Sequence, residues 1–377
     1  MEDILRKLVA FPSVSGEQTP NQAILDYMAE FVTARGMHVK RFTHNETASF
    51  VATTQPNDLT PTLMLVAHVD VVPAPADKFM LRKQNGKYYG RGVFDMKFAA
   101  AAFMQLVDRL QDKLAEYDFG LMITTDEEIG GKDGVKYLVN EVGYHPKVCI
   151  IPDGGPNWEI EEFAKGVEWI ELSSTGVTAH ASRPWEGEHA IHKLLLALGE
   201  IRTLFPHDSG RKDTLLSVGM IQGGEAANQT ADKASAVLDI RHGNMEDYRT
   251  SFSRVKAVCD KHDVKAEIHG SAPPCINPPS DPYIRTFREI MKELLGYSPK
   301  ACYSYAATDG RFFSAINVPC IIMQPPGGDN HAASEWISVE GCEQFYEMIC
   351  RYAEQIAKRK PSSQPALRPL AQSSKML

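Results

Sequence analysis

Apolar residues recur at three- and four-residue intervals over Pro20–Arg35, Met96–Lys113 and Gly134–Glu141, which predicts amphipathic helices in the first half of the chain. Between these stretches lie short apolar runs that stop abruptly: TLMLVA at 62–67, FGLMITT at 119–125 and VCIIP at 148–152. Runs of that length without alternation predict strands buried on both faces of a mostly parallel sheet. Helical and strand segments take turns along the chain, so the expected fold class is α/β, a sheet with flanking helices.

The texture changes near Gly166. VEWIELSS alternates apolar and polar residues, the pattern of a strand with one wet face. A helix is predicted over Glu188–Leu204, with Ile191, Leu194, Leu195, Leu198 and Ile201 on the side that covers a sheet. Strands are predicted at LLSVGMIQGG and SAVLDIRHG, a helix near Glu246–Lys261, and a last strand at VKAEIHG, 264–270, before the Pro-rich SAPPCINPPSDP. This reads as a β-α-β-β-α-β layer, an α+β unit of small-domain size. After Pro278 the first texture returns, with a helix near Asp281–Leu295, a strand at VPCIIMQ and a helix from Val339 to about Lys358. The expected organisation is a first domain from residues 1–165 and 274–360, with 166–273 inserted in it. The basic, Pro- and Ser-rich stretch 361–377 reads as a disordered tail.

Composition narrows the function classes. The chain has 377 residues, 43 % hydrophobic and 23 % charged, an enzyme-sized globular protein rather than a small binding module. Forty basic against 48 acidic side chains give a net charge of −8, which argues against nucleic acid or an anionic membrane as the main partner. The seven cysteines are scattered, odd in number and form no CxxC pair, so neither a disulfide framework nor a thiolate zinc site is expected. With no signal-peptide pattern and no apolar window of about 20 residues, the expected location is cytoplasmic.

The strand runs end in polar residues. TLMLVA leads into His68 and Asp70, FGLMITT into Asp126, Glu127 and Glu128, and VCIIP into Asp153. Ligands of open α/β sheets bind beyond the carboxyl ends of the strands, so these side chains are expected to converge on one crevice. Imidazole with several carboxylates and no thiolate suits divalent ions of the zinc, cobalt or manganese kind. Each piece also has a plainer reading. Asp95 in YYGRGVFDMK is a preferred N-cap residue before Met96, Asp153 before Gly154-Gly155 suits a turn, and His331 in PPGGDNHAASEW suits an ordinary loop. The plain readings weaken because all of them fall in order along one α/β chain.

The set HVD at 68–70, YGRGVFDMK at 89–97, TTDEEIGG at 124–131, PDGG at 152–155, GVTAHASRP at 176–184, GGEAANQTADKASAVLDIR at 223–241, TDGRF at 308–312 and GGDNHAASEW at 327–336 resembles a known family. It is the family of co-catalytic zinc hydrolases that includes acetylornithine deacetylase, succinyl-diaminopimelate desuccinylase, aminoacylase, glutamate carboxypeptidase and carnosinase-type dipeptidases. The likeness runs from about residue 4 to 358. It implies two divalent metal ions per subunit, zinc, with cobalt or manganese as alternatives. Asp95 would bridge them, with His68 and Asp153 completing one site and Glu128 and His331 the other. Asp70 would fix the His68 tautomer, and Glu127 would be the general base. The inserted layer, ferredoxin-like in this family, would be a lid and dimer interface. His180 would reach into the partner's site and stabilise the tetrahedral oxyanion. Asn228 and Arg241 would bind substrate, with Gly327 and Gly328 offering backbone N–H groups to its carboxylate.

The resemblance thus implies hydrolysis of a small amide whose amine side is an amino acid. N-acyl-amino-acid deacylation is the first expectation, and dipeptidase or carboxypeptidase activity the alternative. Deacetylases and desuccinylases usually carry Glu where this chain has Asp153, whereas aminopeptidase- and dipeptidase-like members carry Asp. ATDGR at 307–311 also departs from the Gly-Thr-Ser run that precedes Asp-Gly-Arg in desuccinylases, so succinyl-diaminopimelate is not the first-choice substrate. A non-catalytic metal- or peptide-binding relative is the alternative outside the enzymes, and the presence of Glu127 with all five ligand positions argues against it.

Overall fold

The computed structural model describes residues 1–205, 210, 213–304 and 308–359; the expected tail at 361–377 lies outside them. Its central sheet has six strands in the order His38–His44, Thr47–Thr53, Phe119–Thr124, Leu63–His68, Val148–Ile150 and Cys320–Ile321. The last four run parallel, and the first two form an antiparallel hairpin at one edge. The sequence pattern explains the burial. Leu63, Leu65 and Ala67 face one core with Phe98, Phe103 and Phe345, while Met64 and Val66 face the other with Leu138, Tyr144 and Phe313. All six residues of Leu63–His68 are buried, as expected of a strand covered on both faces.

The helices start and stop close to where the spacing puts them, with local reasons for the differences. The expected helix at Met96 begins at Lys97, and Asp95 is not its cap. The helix expected from Glu188 begins at Ala190, because Glu188 exchanges two backbone hydrogen bonds with Val177. Leu195 does not cover the sheet as its spacing suggested: it is 51 % exposed, since the buried stripe runs through Ala190, Leu194, Ala197, Leu198 and Ile201. The strand at VPCIIMQ shortens to Cys320–Ile321, after which Ile322 O accepts from Glu161 N and Gln324 N donates to Gly155 O. Those two bonds pull the chain out of the main sheet.

The inserted layer is a four-stranded antiparallel sheet in the order Leu215–Gly223, Lys233–His242, Gly166–Thr175, Lys265–Ala272. Its helices Ala190–Ile201 and Met245–Lys261 cover one face and build a separate core around Ile170, Leu172, Leu238 and Ile240. Strand order and connection are those of a ferredoxin-like βαββαβ unit. A further small sheet, Gly327–Gly328, Trp336–Ser338, Lys87–Tyr89 and Arg82–Gln84, ties the chain near residue 90 to the chain near residue 330. All seven cysteines are free thiols, and no helix among the described residues is long and apolar enough to cross a membrane.

Candidate metal centre

Parallel strands deliver their carboxyl ends to one edge of the sheet. His68 is the last residue of its strand and sits level with Thr124, so the turn Glu127–Ile129 that follows Thr124 lies beside it. Asp70 joins the two. Its carboxylate is 3.4 Å from His68 Nδ1, and it accepts from the backbone N–H groups of Glu127 and Glu128, both at 3.3 Å. His68 Nδ1 also lies 3.1 Å from the Asp70 carbonyl, which leaves Nε2 as the nitrogen that faces the crevice. Ser15 Oγ donates to Asp70 at 2.7 Å. No motif in the sequence marks Ser15, because it reaches the site from a loop more than fifty positions away.

Asp95 occupies the middle of the arrangement. Its Oδ1 lies 3.0 Å from His68 Nε2, and its Oδ2 lies 3.3 Å from His331 Nε2. His331 Nε2 is in turn 3.0 Å from Glu128 Oε2. Possible ligand atoms fall into two groups, His68 with Glu127 and Asp153, and Asp95 with Glu128 and His331; within each group the atoms lie within 4.8 Å of one another. One carboxylate thus turns an oxygen to each histidine.

The electrostatics are those of an acidic cluster. Burial pushes the Asp153 carboxyl up to about 7, and the neighbouring Asp95 charge adds to it. Burial, with Asp153 close by, also holds Glu127 well above the usual carboxylate range, and burial with Asp95 raises Glu128. Burial opposes ionisation of Asp95 too, but the bonds from His331 and His68 outweigh it and hold its carboxyl low. Carboxylates packed this closely repel unless cations lie among them. Imidazole and carboxylate donors without thiolate are the set that borderline divalent ions take, so the residues present fit such ions.

The crevice opens into a cavity of about 880 Å³ lined by Phe94, Asp95, Glu127, Glu128, Asp153 and His331 among others, with Gly327 and Gly328 in its wall. A Cβ at Gly327 would run into the Phe94 ring, and one at Gly155 into the Glu159 carbonyl, so both glycines are required by close approach. Arg311 also lines the cavity and donates to Gly130 O at 2.7 Å, a contact sequence reasoning missed although TDGRF contains the residue.

Three expected substrate-side residues do not reach this cavity within the chain. His180, Asn228 and Arg241 belong to the inserted layer and are absent from the lining. His180 is exposed and bonds Ser182 Oγ at 2.8 Å, beside the Asn228 carbonyl that accepts from Ala181 N. Arg241 donates from Nε and Nη2 to the two carboxylate oxygens of Asp239, at 2.7 and 2.9 Å.

Comparison with known proteins places this geometry. Residues 64–355 match the model of peptidase family M20/M25/M40. The succinyl-diaminopimelate desuccinylase of Sulfurovum sp. (strain NBC37-1) is 25 % identical over 373 residues, covering 92 % of this chain and 96 % of that protein. Its counterpart in Xylella fastidiosa (strain 9a5c) is 25 % identical over 370 residues, covering 92 % and 97 %. Among solved structures, the aminopeptidase PepT from Bacillus cereus ATCC 10987 superposes with a TM-score of 0.71 at 20 % identity, covering 94 % of this chain and 97 % of that one. A tripeptidase from Staphylococcus aureus subsp. aureus Mu50 gives 0.68 at 22 % identity, with the same coverage of both chains. The fold, the converging donors and the span of the family match lead to one conclusion: the chain belongs to peptidase family M20/M25/M40 and is a metal-dependent hydrolase of amide bonds.

Proposed function

We propose that the protein removes an acyl group from a small N-acyl amino acid, using two divalent ions and a water molecule. The observation that carries this reading is the pair of donor groups, His68 with Glu127 and Asp153 and Asp95 with Glu128 and His331, joined where Asp95 turns one oxygen to His68 and the other to His331. In it His68, Asp95 and Asp153 would hold one ion, zinc in the first instance, and Asp95, Glu128 and His331 the other, which leaves the Glu127 carboxylate of the first group for the water. Bound ions of this kind lower the pKa of a water and polarise a carbonyl oxygen. Asp70 keeps His68 Nε2 turned to the crevice. Glu127 takes a proton from the water as its oxygen attacks the amide carbon, then gives that proton to the leaving nitrogen as the C–N bond breaks. The products are a carboxylate and a free amino acid. Deacylation is favoured by the desuccinylase relatives; Asp153 in place of Glu favours dipeptide cleavage as the second reading.

The test is hydrolysis of a panel of N-acyl amino acids and dipeptides by metal-reconstituted protein, with metal content measured on the same sample. The expected result is two ions per chain, activity lost on chelation and restored by zinc or cobalt, and turnover of acyl amino acids ahead of dipeptides. Preference for dipeptides would establish the second reading. Absence of stoichiometric metal with activity indifferent to chelator would overturn both.

In this reading residues 166–273 form a lid that also joins two chains, in a reducing, cytoplasmic setting that suits free thiols. Support comes from the edge strand Leu215–Gly223, where Met220 is 63 % and Ile221 55 % exposed. Leu195 and Leu196 stand exposed on the helix Ala190–Ile201 of the same layer. An open strand edge with apolar side chains invites a partner, here a second copy of the chain. Light scattering is expected to give a dimer for the wild type and monomers for the double variant Met220→Glu/Ile221→Glu. A monomeric wild type at assay concentration would contradict the shared lid.

A further inference from the structure

We propose that Glu335 and Arg91 form a positioning couple that locks the loop carrying Asp95 to the loop carrying His331. The inference rests on the two-ion reading above. Glu335 is 2 % exposed, yet its carboxylate is fully engaged. Oε2 accepts from Arg91 Nη1 at 2.6 Å and Gly92 N at 2.9 Å, and Oε1 accepts from Phe94 N at 2.9 Å and Asp95 N at 3.2 Å. One side chain therefore fixes the backbone of the whole run that ends at Asp95. Arg91 then spans to the other loop, donating from Nη2 to the His331 carbonyl at 2.9 Å.

Both loops need such help. His331 has φ +64°, a conformation that non-glycine residues adopt rarely, and the Arg91 bond to its carbonyl helps to hold it there. Gly92 has φ +79°, and a Cβ there would come within 2.8 Å of Val71 Cγ1, so the loop is built tight around its glycine. The small sheet in which Trp336 faces Tyr89 brings the two loops side by side, but its registered residues stop short of Asp95 and His331. His68 and Glu127 are supported differently, by the main sheet and by Asp70. The couple therefore bears on Asp95, which the two-ion reading shares between both ions, and on His331, which belongs to one, so its larger effect falls on the site of Glu128 and His331. Neither Arg91 nor Glu335 touches the reacting atoms; each acts through the ligands it places. Partners of this kind change metal affinity about 10–100-fold when replaced.

Glu335→Gln keeps the side-chain shape but turns an amide NH₂ toward groups that are all donors and removes the charge opposite Arg91. Apoprotein titrated calorimetrically with zinc, and followed with cobalt(II) by its visible absorption, is expected to show the site of Glu128 and His331 weakened about 10–100-fold and the other site, which shares only Asp95 with it, weakened clearly less. Arg91→Lys keeps the charge and removes the fork, and is expected to weaken the same site by a smaller factor. It also decides the matter if Glu335→Gln does not fold. Equal weakening of both sites, or unchanged affinities with only a lower Tm, would overturn the couple as a positioning device. A wild type that binds fewer than two ions would instead overturn the two-ion reading, and the couple with it.

Discussion

Glu127→Gln is expected to lower kcat by about 10²–10⁴-fold, the range a general base contributes, with both metal ions retained. The turn that carries Glu127 is held from outside its side chain: its backbone N–H donates to Asp70 at 3.3 Å, and its carbonyl accepts from Gly130 N at 2.8 Å. The substitution removes no anchor of the turn and changes no volume. What it removes is the ability to accept the proton of the attacking water. Glu128→Gln is the contrasting variant: the Glu127 carboxylate lies with His68 and Asp153 but is proposed to serve the water, whereas Glu128 Oε2 meets His331 Nε2 at 3.0 Å and is proposed to hold an ion, so its replacement is expected to lose metal as well as activity. Metal content and kcat measured on both proteins separate the roles. Equal metal loss in both, with Glu127→Gln still active, would assign the base elsewhere.

The parts of this centre that lie at strand ends were legible in the sequence for a physical reason. A parallel strand buried on both faces reads as an apolar run, and the first polar residues after it must emerge at the sheet's edge; His68, Asp70, Glu127, Glu128 and Asp153 all occupy such positions. Asp95 and His331 sit on loops, where the residues alone suit a cap or a turn equally well, and only the family resemblance singled them out. The structure shows why: their proximity is made by the small sheet pairing Trp336 with Tyr89 and by the Arg91–Glu335 pair, contacts across some 240 positions that no local pattern encodes. The edge hairpin His38–Thr53 was missed for a different reason. In His38–His44 the apolar Val39 and Phe42 lie three positions apart, which breaks the alternation of a strand, and although Asn45 and Glu46 both take positive φ in its two-residue turn, Asn-Glu is a weaker turn signal than Asn-Gly.

Mixing inactive His180→Ala chains with inactive Glu127→Gln chains is expected to restore activity. His180 lies on the inserted layer, exposed and bonded to Ser182, and it lines no part of the cavity of its own chain. A role for it at the reacting carbonyl therefore requires the second chain. In the proposed two-fold dimer each lid would face the partner's crevice in the same way, so one His180 would complete the other chain's site. A heterodimer of the two variants contains one site with Glu127 and His180 both intact. With random exchange at equal input, half of the dimers are of this kind, and about one quarter of the wild-type sites return. The recovery depends on exchange, so it is expected to rise with incubation time and to vanish when the Met220→Glu/Ile221→Glu changes are added to both chains. An ordinary surface histidine would behave otherwise: His180→Ala would be active alone, and mixing would only dilute it. No recovery after exchange has been demonstrated by mass-labelled subunits would place His180 outside the site.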